Sequence, residues 1–170
     1  MRGPMEGLVR KGHPPGMDAH RRRPLALLVL VTIVVTGLWV GIAPPSVAAD
    51  DRGRWPMTHE TNRSRVTHDL RKVGLRAAMS ELARRHSVRM ARRGELFHTN
   101  NPASYYLRGI RWSVWGENVG YTTGNVDGLQ RLFMNSPPHR ANILNRRFRH
   151  VAIGTCRRDG TLWVTVFFYG

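Results

Sequence analysis

A long apolar run near the N-terminus constrains this chain more than any other feature. Nearly every residue from Leu25 to Ile42 is aliphatic; a basic cluster at 20–23 precedes the run, and small residues at 46–49 follow it after two prolines. These are the three parts of a secretory signal peptide. We therefore predict that residues 1–49 are an N-terminal extension with a cleaved signal peptide, and that the rest of the chain folds as one domain.

A membrane anchor is the alternative for the same run. Its length of about 18 residues just reaches that of a membrane-spanning helix, so an uncleaved signal anchor would join the domain to a membrane through residues 25–42 alone. Met17 begins a leader of ordinary length, which leaves Met1 and Met17 as alternative start sites. Both alternatives predict a domain outside the cytoplasm, secreted or at the cell surface.

The charge of the chain restricts its partners. It carries 27 lysines and arginines against 11 aspartates and glutamates, a net charge of +16, and Lys72 is the only lysine after residue 49. Such a surface attracts anionic polymers of the cell envelope, although a basic surface also serves simply to keep a protein in solution. No basic motif interleaved with aromatic residues occurs, so nucleic acid is not an expected partner.

The spacing of apolar residues predicts helices first and strands last. We expect residues 50–56 to form a linker and residues 113–121 to form a short strand or loop. The predicted helices cover residues 57–73, 75–93, 126–135 and 139–144, with a further helical turn within 103–112. Gly74 and Gly94 end the first two helices, and Asn125 caps the third.

The last 23 residues predict a β-hairpin. Two β-rich runs, 148–156 and 161–169, are joined by a turn that ends in Asp-Gly. Helices followed by an antiparallel pair indicate an α+β sandwich. The single cysteine, Cys156, excludes an internal disulfide, and we expect a buried thiol because it lies in an apolar strand.

Three polar residues stand in or beside predicted loops, where functional groups often lie. They are His98, Glu117 and His139. Two histidines and a carboxylate suit a divalent cation, most naturally Zn²⁺, with one position open for water or a ligand. Each of them is also compatible with a hydrogen-bonded structural role. Standard phosphate-loop, metalloprotease and serine-hydrolase signatures are absent.

Several short motifs together resemble a known family. In order they are Phe97-His98, Gly116-Glu117-Asn118-Val119-Gly120, Ser136-Pro137-Pro138-His139-Arg140 with Asn142-Ile143-Leu144, and the closing aromatic hairpin. Residues 57–170 thereby resemble a bacterial domain of the CAP superfamily, which contains cysteine-rich secretory proteins, antigen 5 and pathogenesis-related proteins. The resemblance implies an α-β-α sandwich with a small antiparallel sheet and a cleft lined by two histidines and two acids.

The resemblance also implies the roles of single residues. His98, Glu117 and His139 match the cleft motifs, whereas residues 133–136 contain no carboxylate where the second acid of the family would fall. Asn118 and Asn142 are expected to hold the backbone around the cleft. Separately from the motifs, Trp112 and Trp115 have two possible uses, lining the cleft or packing in the core, of which we expect the second. We expect His86 to pack inside the domain and His150 to lie at its surface or edge.

Three functions are open at this point. The first is a non-enzymatic secreted domain whose cleft binds a divalent cation, a small or lipid-like ligand, or an envelope partner. The second is a cation-dependent extracellular hydrolase that uses His98 and His139 to hold the metal and Glu117 as a third ligand or as a base. The third is a purely structural hydrogen-bond network that joins loops.

Overall fold

The computed structural model describes residues 51–170; the predicted signal peptide or anchor lies outside this part. A short 3₁₀ turn, Asp51–Gly53, leads into five α-helices and four β-strands. The helices are α1 Arg54–Val66, α2 Ala77–Arg93, α3 Pro102–Tyr106, α4 Val126–Asn135 and α5 Pro137–Ile143. The strands are β1 Gly74–Leu75, β2 Trp115–Thr122, β3 His150–Arg158 and β4 Thr161–Tyr169. Within residues 51–170, no helix combines the length and apolarity that a membrane span requires.

The strands form a single four-stranded sheet in the order β1-β3-β4-β2. The predicted hairpin is its centre: β3 and β4 pair antiparallel, and Asp159 and Gly160 have φ of 48° and 75°, the left-handed pair that a tight hairpin turn requires. β2 is antiparallel to β4, whereas β1 is parallel to β3. The sheet is therefore mixed rather than wholly antiparallel, and β2 lies at one of its edges.

Successive residues of the central strands alternate between two cores, because side chains in a strand point to opposite faces. One face packs against α1, α4 and α5 through aliphatic and aromatic side chains. The other face packs against α2 and α3. These two layers of helices around one sheet confirm the expected α+β sandwich.

The start of the domain differs from its prediction. Residues 54–56 form the first turn of α1, so the segment 50–56 is not simply a linker. Pro56 does not stop the helix, because proline is tolerated in the first turn, where backbone N–H groups lack helical acceptors. The helix then ends at Val66 rather than reaching Val73, and Asp69 has a left-handed φ of 56°. The Asn62 side chain accepts a hydrogen bond from Val73 N, 2.8 Å, and so fixes the segment after the helix.

α2 follows its predicted pattern most closely. It ends at Gly94, whose left-handed φ of 65° is typical of a helix C-terminus. The helix lies unusually near β3: a Cβ at Gly154 would overlap the backbone of Ala83 and Arg84. Ser87 Oγ donates to Gly154 O, 2.9 Å, across the same contact. α2 is thereby held directly against the sheet backbone.

A buried cation joins α1 to the segment after α5. Arg65 is 1% exposed, and its guanidinium donates to the backbone carbonyls of Arg71, Ile143, Asn145 and Phe148 at 2.7–3.4 Å. Burial, with a smaller contribution from the charge of Arg149, lowers the pKa of Arg65. Backbone carbonyls thus take the place of a carboxylate around this side chain.

Candidate functional site

The candidate site is built on the edge strand β2. Glu117 lies opposite Phe167 in the register and so points to the α2 face, whereas Asn118 lies opposite Val166 and points to the α5 face. Adjacent residues of this strand therefore point to opposite faces of the sheet. This explains why the Gly-Glu-Asn motif contributes to two layers at once.

Both oxygens of the Glu117 carboxylate accept hydrogen bonds in the interior, where the side chain is 1% exposed. Oε1 accepts from Thr99 N at 2.8 Å and from His98 Nδ1 at 2.9 Å. Oε2 accepts from Thr99 Oγ1 at 2.7 Å. Because buried charges must be hydrogen-bonded, these three donors are what makes the carboxylate compatible with its position.

Behind the carboxylate lies Tyr106, the last residue of α3. Its hydroxyl is 3.2 Å from Thr99 Oγ1, and its ring stacks on Phe167 with centroids 4.0 Å apart. Burial, and then the nearby charge of Glu117, strongly raise the pKa of Tyr106. The phenol therefore stays protonated and serves as a neutral support for Thr99.

His98 joins this interior to the surface. Its side chain is 60% exposed, although Nδ1 donates to the buried Glu117. In the described part of the chain, Nε2 has no hydrogen-bond partner. The carboxylate thus fixes the orientation and tautomer of the ring and leaves Nε2 as a free acceptor.

His139 approaches from the other side of the edge, in the first turn of α5. Its Nδ1 hydrogen bonds with Ser136 Oγ at 2.9 Å, and its ring packs 5.0 Å from that of Phe133. Burial, and then the charge of His98, lower the pKa of His139. The lowered pKa favours the neutral imidazole of His139 at neutral pH.

The two predicted supporting amides do hold the backbone here. Asn118 Nδ2 donates to His139 O at 3.0 Å, and Asn142 Nδ2 donates to Glu117 O at 3.2 Å and to Asn118 Oδ1 at 2.8 Å. Gly116 is required beside them, since a Cβ there would overlap the Asn142 side chain. The amides connect α5, which carries His139, to the strand that carries Glu117.

The structure brings His98 and Glu117 into contact, and it joins Asn118, the residue after Glu117, to the backbone carbonyl of His139. It does not assemble a ready metal centre. Among residues 51–170, no group of three or more histidine, cysteine, aspartate or glutamate side chains is arranged to hold a metal ion. The predicted role of Glu117 as a direct ligand is at odds with its burial and its three donors. Its position instead suits a carboxylate that orients His98 through a hydrogen bond to Nδ1.

Other predicted positions are partly confirmed. His86 is fully buried; it donates from Nε2 to Phe97 O at 2.8 Å and accepts at Nδ1 from Arg89 at 3.0 Å. His150 is half-buried beside Arg76. Trp112 and Trp115 are 43% and 38% exposed, so the expectation that they pack in the core is wrong. They flank the start of an edge strand, where one side has no neighbouring strand to cover them.

Sequence reasoning missed Thr99 and Tyr106. Thr99 donates two of the three hydrogen bonds to Glu117, and its position directly after His98 was the available signal. Tyr106 gave no signal, because its contact with Thr99 depends on how α3 folds back over the loop.

Comparison with known proteins identifies the family. The model of the CAP family, the cysteine-rich secretory protein family, matches residues 58–168. This chain belongs to that family. It is 28% identical over 130 residues to the uncharacterized protein YkwD of Bacillus subtilis strain 168, a match that covers 74% of this chain and 49% of that protein. The chain thus spans about half the length of this curated relative.

Solved structures support the CAP fold. An extracellular protein with an SCP domain from Bacillus anthracis aligns with a TM-score of 0.56 and 23% identity over 68% of this chain and 39% of that chain. An outer surface protein from Borrelia burgdorferi aligns with a TM-score of 0.66 and 12% identity over 74% of this chain and 98% of that chain. At these identities the likeness concerns the fold alone. The cysteines in the family name have no counterpart here, since Cys156 is single and buried.

Proposed function

We propose that this CAP domain acts outside the cytoplasm as a non-catalytic binding domain, with His98 at the centre of its cleft. The observation that supports the proposal is the difference in exposure between Glu117 and the histidine hydrogen-bonded to it, His98. The carboxylate is buried and fully hydrogen-bonded, whereas the histidine that it orients is exposed with Nε2 free. In such a pair, Nε2 of His98 is an oriented acceptor that a ligand can contact, whereas the negative charge of Glu117 stays buried.

A divalent cation, most naturally Zn²⁺, is the first ligand that we propose. His98 and His139 both use Nδ1 within the domain, which leaves Nε2 of each for coordination. A metal-binding histidine commonly has its second nitrogen held by a carboxylate or hydroxyl in this way. The lowered pKa of His139 favours the neutral imidazole, which is the form that binds metal. Water or a second ligand from the envelope would complete the coordination.

A titration of the purified protein with Zn²⁺ tests this proposal. We expect one ion per chain in the wild type and loss of binding in both His98→Ala and His139→Ala. His59→Ala is the matched control, since the His59 side chain is 75% exposed on α1 and outside the site. Equal Zn²⁺ binding in all four proteins would show that the cleft is not the cation site.

The extracellular hydrolase is the alternative outcome of the same experiment. It requires a carboxylate that reaches a metal-bound water, and the burial of Glu117 supports the binding domain instead. Hydrolysis of an envelope substrate that appears with Zn²⁺ and disappears with a chelator and in His139→Ala would replace our proposal with the hydrolase. Absence of turnover beside intact Zn²⁺ binding would support the binding domain.

A further inference from the structure

The solvent-facing side of α2 is strongly positive, and its charged residues extend along the helix from the neighbourhood of His98. Five arginines lie on this helix with one acid, Glu81. Glu81 is already occupied: it accepts from Arg84 at 2.7 Å and from Arg85 at 3.4 Å, and the hydrogen bond from Arg84, with further help from Arg85, lowers its pKa to about 2. Glu81 therefore does not neutralise the arginines further along the helix.

The remaining three arginines have no carboxylate partner in the part of the chain that the structure describes. They are Arg89, Arg92 and Arg93. Glu95 follows the helix but forms no ion pair within residues 51–170. Three uncompensated guanidinium groups within two helical turns produce a local field that attracts anions.

Aromatic rings hold two of these guanidinium groups in place. Arg89 Cζ lies 5.2 Å from the ring centroid of Tyr105, and Arg89 also donates to the Tyr105 hydroxyl at 3.3 Å. Arg93 Cζ lies 4.8 Å from the ring centroid of Phe97. Because these side chains are ordered before any ligand arrives, they lose less conformational entropy on binding than free surface arginines would.

Two hollows follow the same side of the helix and share one arginine. The larger has a volume of about 490 Å³ and is lined by Arg89, Arg93, Phe97, His98, Asn100 and Tyr105. The smaller, about 330 Å³, is lined by Arg84, Arg85, Val88, Arg89 and Arg92. Arg85 and Arg93 are eight residues apart, about 12 Å along a helix. We call these two hollows together the arginine track; it begins at His98 and continues along α2.

We propose that the arginine track binds an anionic polymer whose repeating charges are phosphodiester groups, such as a glycerol phosphate chain of a cell envelope. The proposal rests on the binding function proposed above, since the track starts at His98. The planar, forked guanidinium is suited to binding the oxygens of a phosphate group, and a repeating anion matches a row of arginines better than a single small anion does.

Two other anionic partners fit the track less well. Single-stranded nucleic acid is bound largely by stacking of bases on exposed aromatic rings, but arginines already cover a face of Tyr105 and of Phe97. A lipid surface requires apolar side chains that insert beside the charges. Of the large exposed hydrophobic residues between 51 and 170, only Leu96 lies next to the track in sequence.

The test measures binding of a synthetic oligo(glycerol phosphate) to the purified protein at two salt concentrations. In Arg89→Gln/Arg93→Gln we expect the Kd to rise by about tenfold or more, with a shallower salt dependence because fewer counterions are released. Arg146→Gln/Arg147→Gln is the control, since it removes the same charge from exposed positions outside the track. An equal loss in both double variants would mean that net charge alone attracts the polymer, and would overturn the proposal.

A second variant separates binding from folding. Arg89 also donates to the buried His86, whereas Arg92 and Arg93 are exposed, so Arg92→Gln/Arg93→Gln should weaken binding without disturbing the interior. Tighter, track-dependent binding of oligo-dT or of phosphatidylglycerol vesicles would replace the polymer by nucleic acid or by a membrane. Zn²⁺ titration of the wild type and of the same variants keeps the two proposals distinct: a wild type that binds Zn²⁺ but not the polymer refutes the track alone. Polymer binding with no effect of His98→Ala on Zn²⁺ refutes the cation site alone.

Discussion

Two buried charges, Arg65 and Glu117, lie on opposite sides of the sheet and are held in different ways. The guanidinium of Arg65 donates to backbone carbonyls, and these hydrogen bonds join α1 to the segment after α5. The carboxylate of Glu117 accepts from Thr99 and from the exposed His98. The first charge fixes loops to one another, whereas the second sets the orientation of a side chain that a ligand can reach.

Both faces of the sheet bury polar groups besides the two charges. The face around Arg65 holds the larger apolar cluster and also buries Thr61, Gln130 and Thr155. The face around Glu117 buries His86 and the Ser87–Thr165 hydroxyl pair at 2.9 Å. The difference between the faces is therefore not their polarity but that, on the α2 face, the buried polar groups lead to the exposed His98.

Replacing Arg65 should have the largest effect. Arg65→Met leaves four backbone carbonyls without their donor in the interior, and we expect the free energy of unfolding to fall by roughly 3–5 kcal/mol. Urea denaturation measures the change. Arg63→Met on the same helix is the control; its exposed ion pairs to Glu60 and Asp127 should contribute less than about 1 kcal/mol. Similar losses in the two variants would contradict a special role for Arg65.

Neutralising Glu117 should affect stability less and the site more. Glu117→Gln keeps the volume of the side chain but replaces one acceptor oxygen with an amide group, so we expect a loss of about 1–3 kcal/mol by urea denaturation. His98 would lose its fixed orientation, and Zn²⁺ binding should weaken in the same variant. Glu95→Gln, an exposed change of the same kind, controls for charge. Unchanged Zn²⁺ affinity in Glu117→Gln would show that Zn²⁺ binding by His98 does not depend on its hydrogen bond to the Glu117 carboxylate.

Acid should destabilise the domain through His86 on α2 and His139 on α5. Burial is the largest cause of the lowered pKa of His86, and the charge of Arg89 adds to it. Because the folded-state pKa values of His86 and His139 lie below the unfolded value of about 6.5, their contribution is complete above that pH and is lost as the pH falls through the folded pKa values. Urea denaturation between pH 5 and 8 should show this decline. His86→Gln should flatten it; an unaltered slope would locate the effect elsewhere.

Removing His98 should change stability least. The hydrogen bond that it forms with Glu117 involves a side chain 60% exposed, so His98→Ala should cost no more than about 1 kcal/mol, measured by urea denaturation. A loss as large as that of Glu117→Gln, with Zn²⁺ binding retained, would indicate the structural network instead of a binding site.

The sequence predicted some parts of the fold and of the site better than others. The hairpin, α2 and α4 were predicted because strand alternation, helical periodicity and caps are local signals, and Asn125 does accept from Gly128 N at 2.8 Å. The family motifs singled out His98 and Glu117, which the structure brings into contact. These predictions needed only residues near one another in the chain or a known pattern.

The parts that were missed depend on distant contacts. Nothing local indicates that Arg65 meets carbonyls some 80 residues away, or that Tyr106 supports Thr99. The parallel strand β1 has two residues, too few for a periodic signal. The exposure of Trp112 and Trp115 follows from the edge position of β2, which only the strand order reveals.

The missing side chain at Gly154 restricts how relatives of this domain can diverge. A substitution there is compatible with the fold only if α2 withdraws from β3. Withdrawal would draw His86 away from Phe97 and shift the arginines that share its helix. Selection for a ligand that binds at His98 would therefore also act on Gly154, although this residue has no side chain and does not touch that ligand. In a related sequence, a glycine at this position predicts that α2 packs against β3 as closely as it does here.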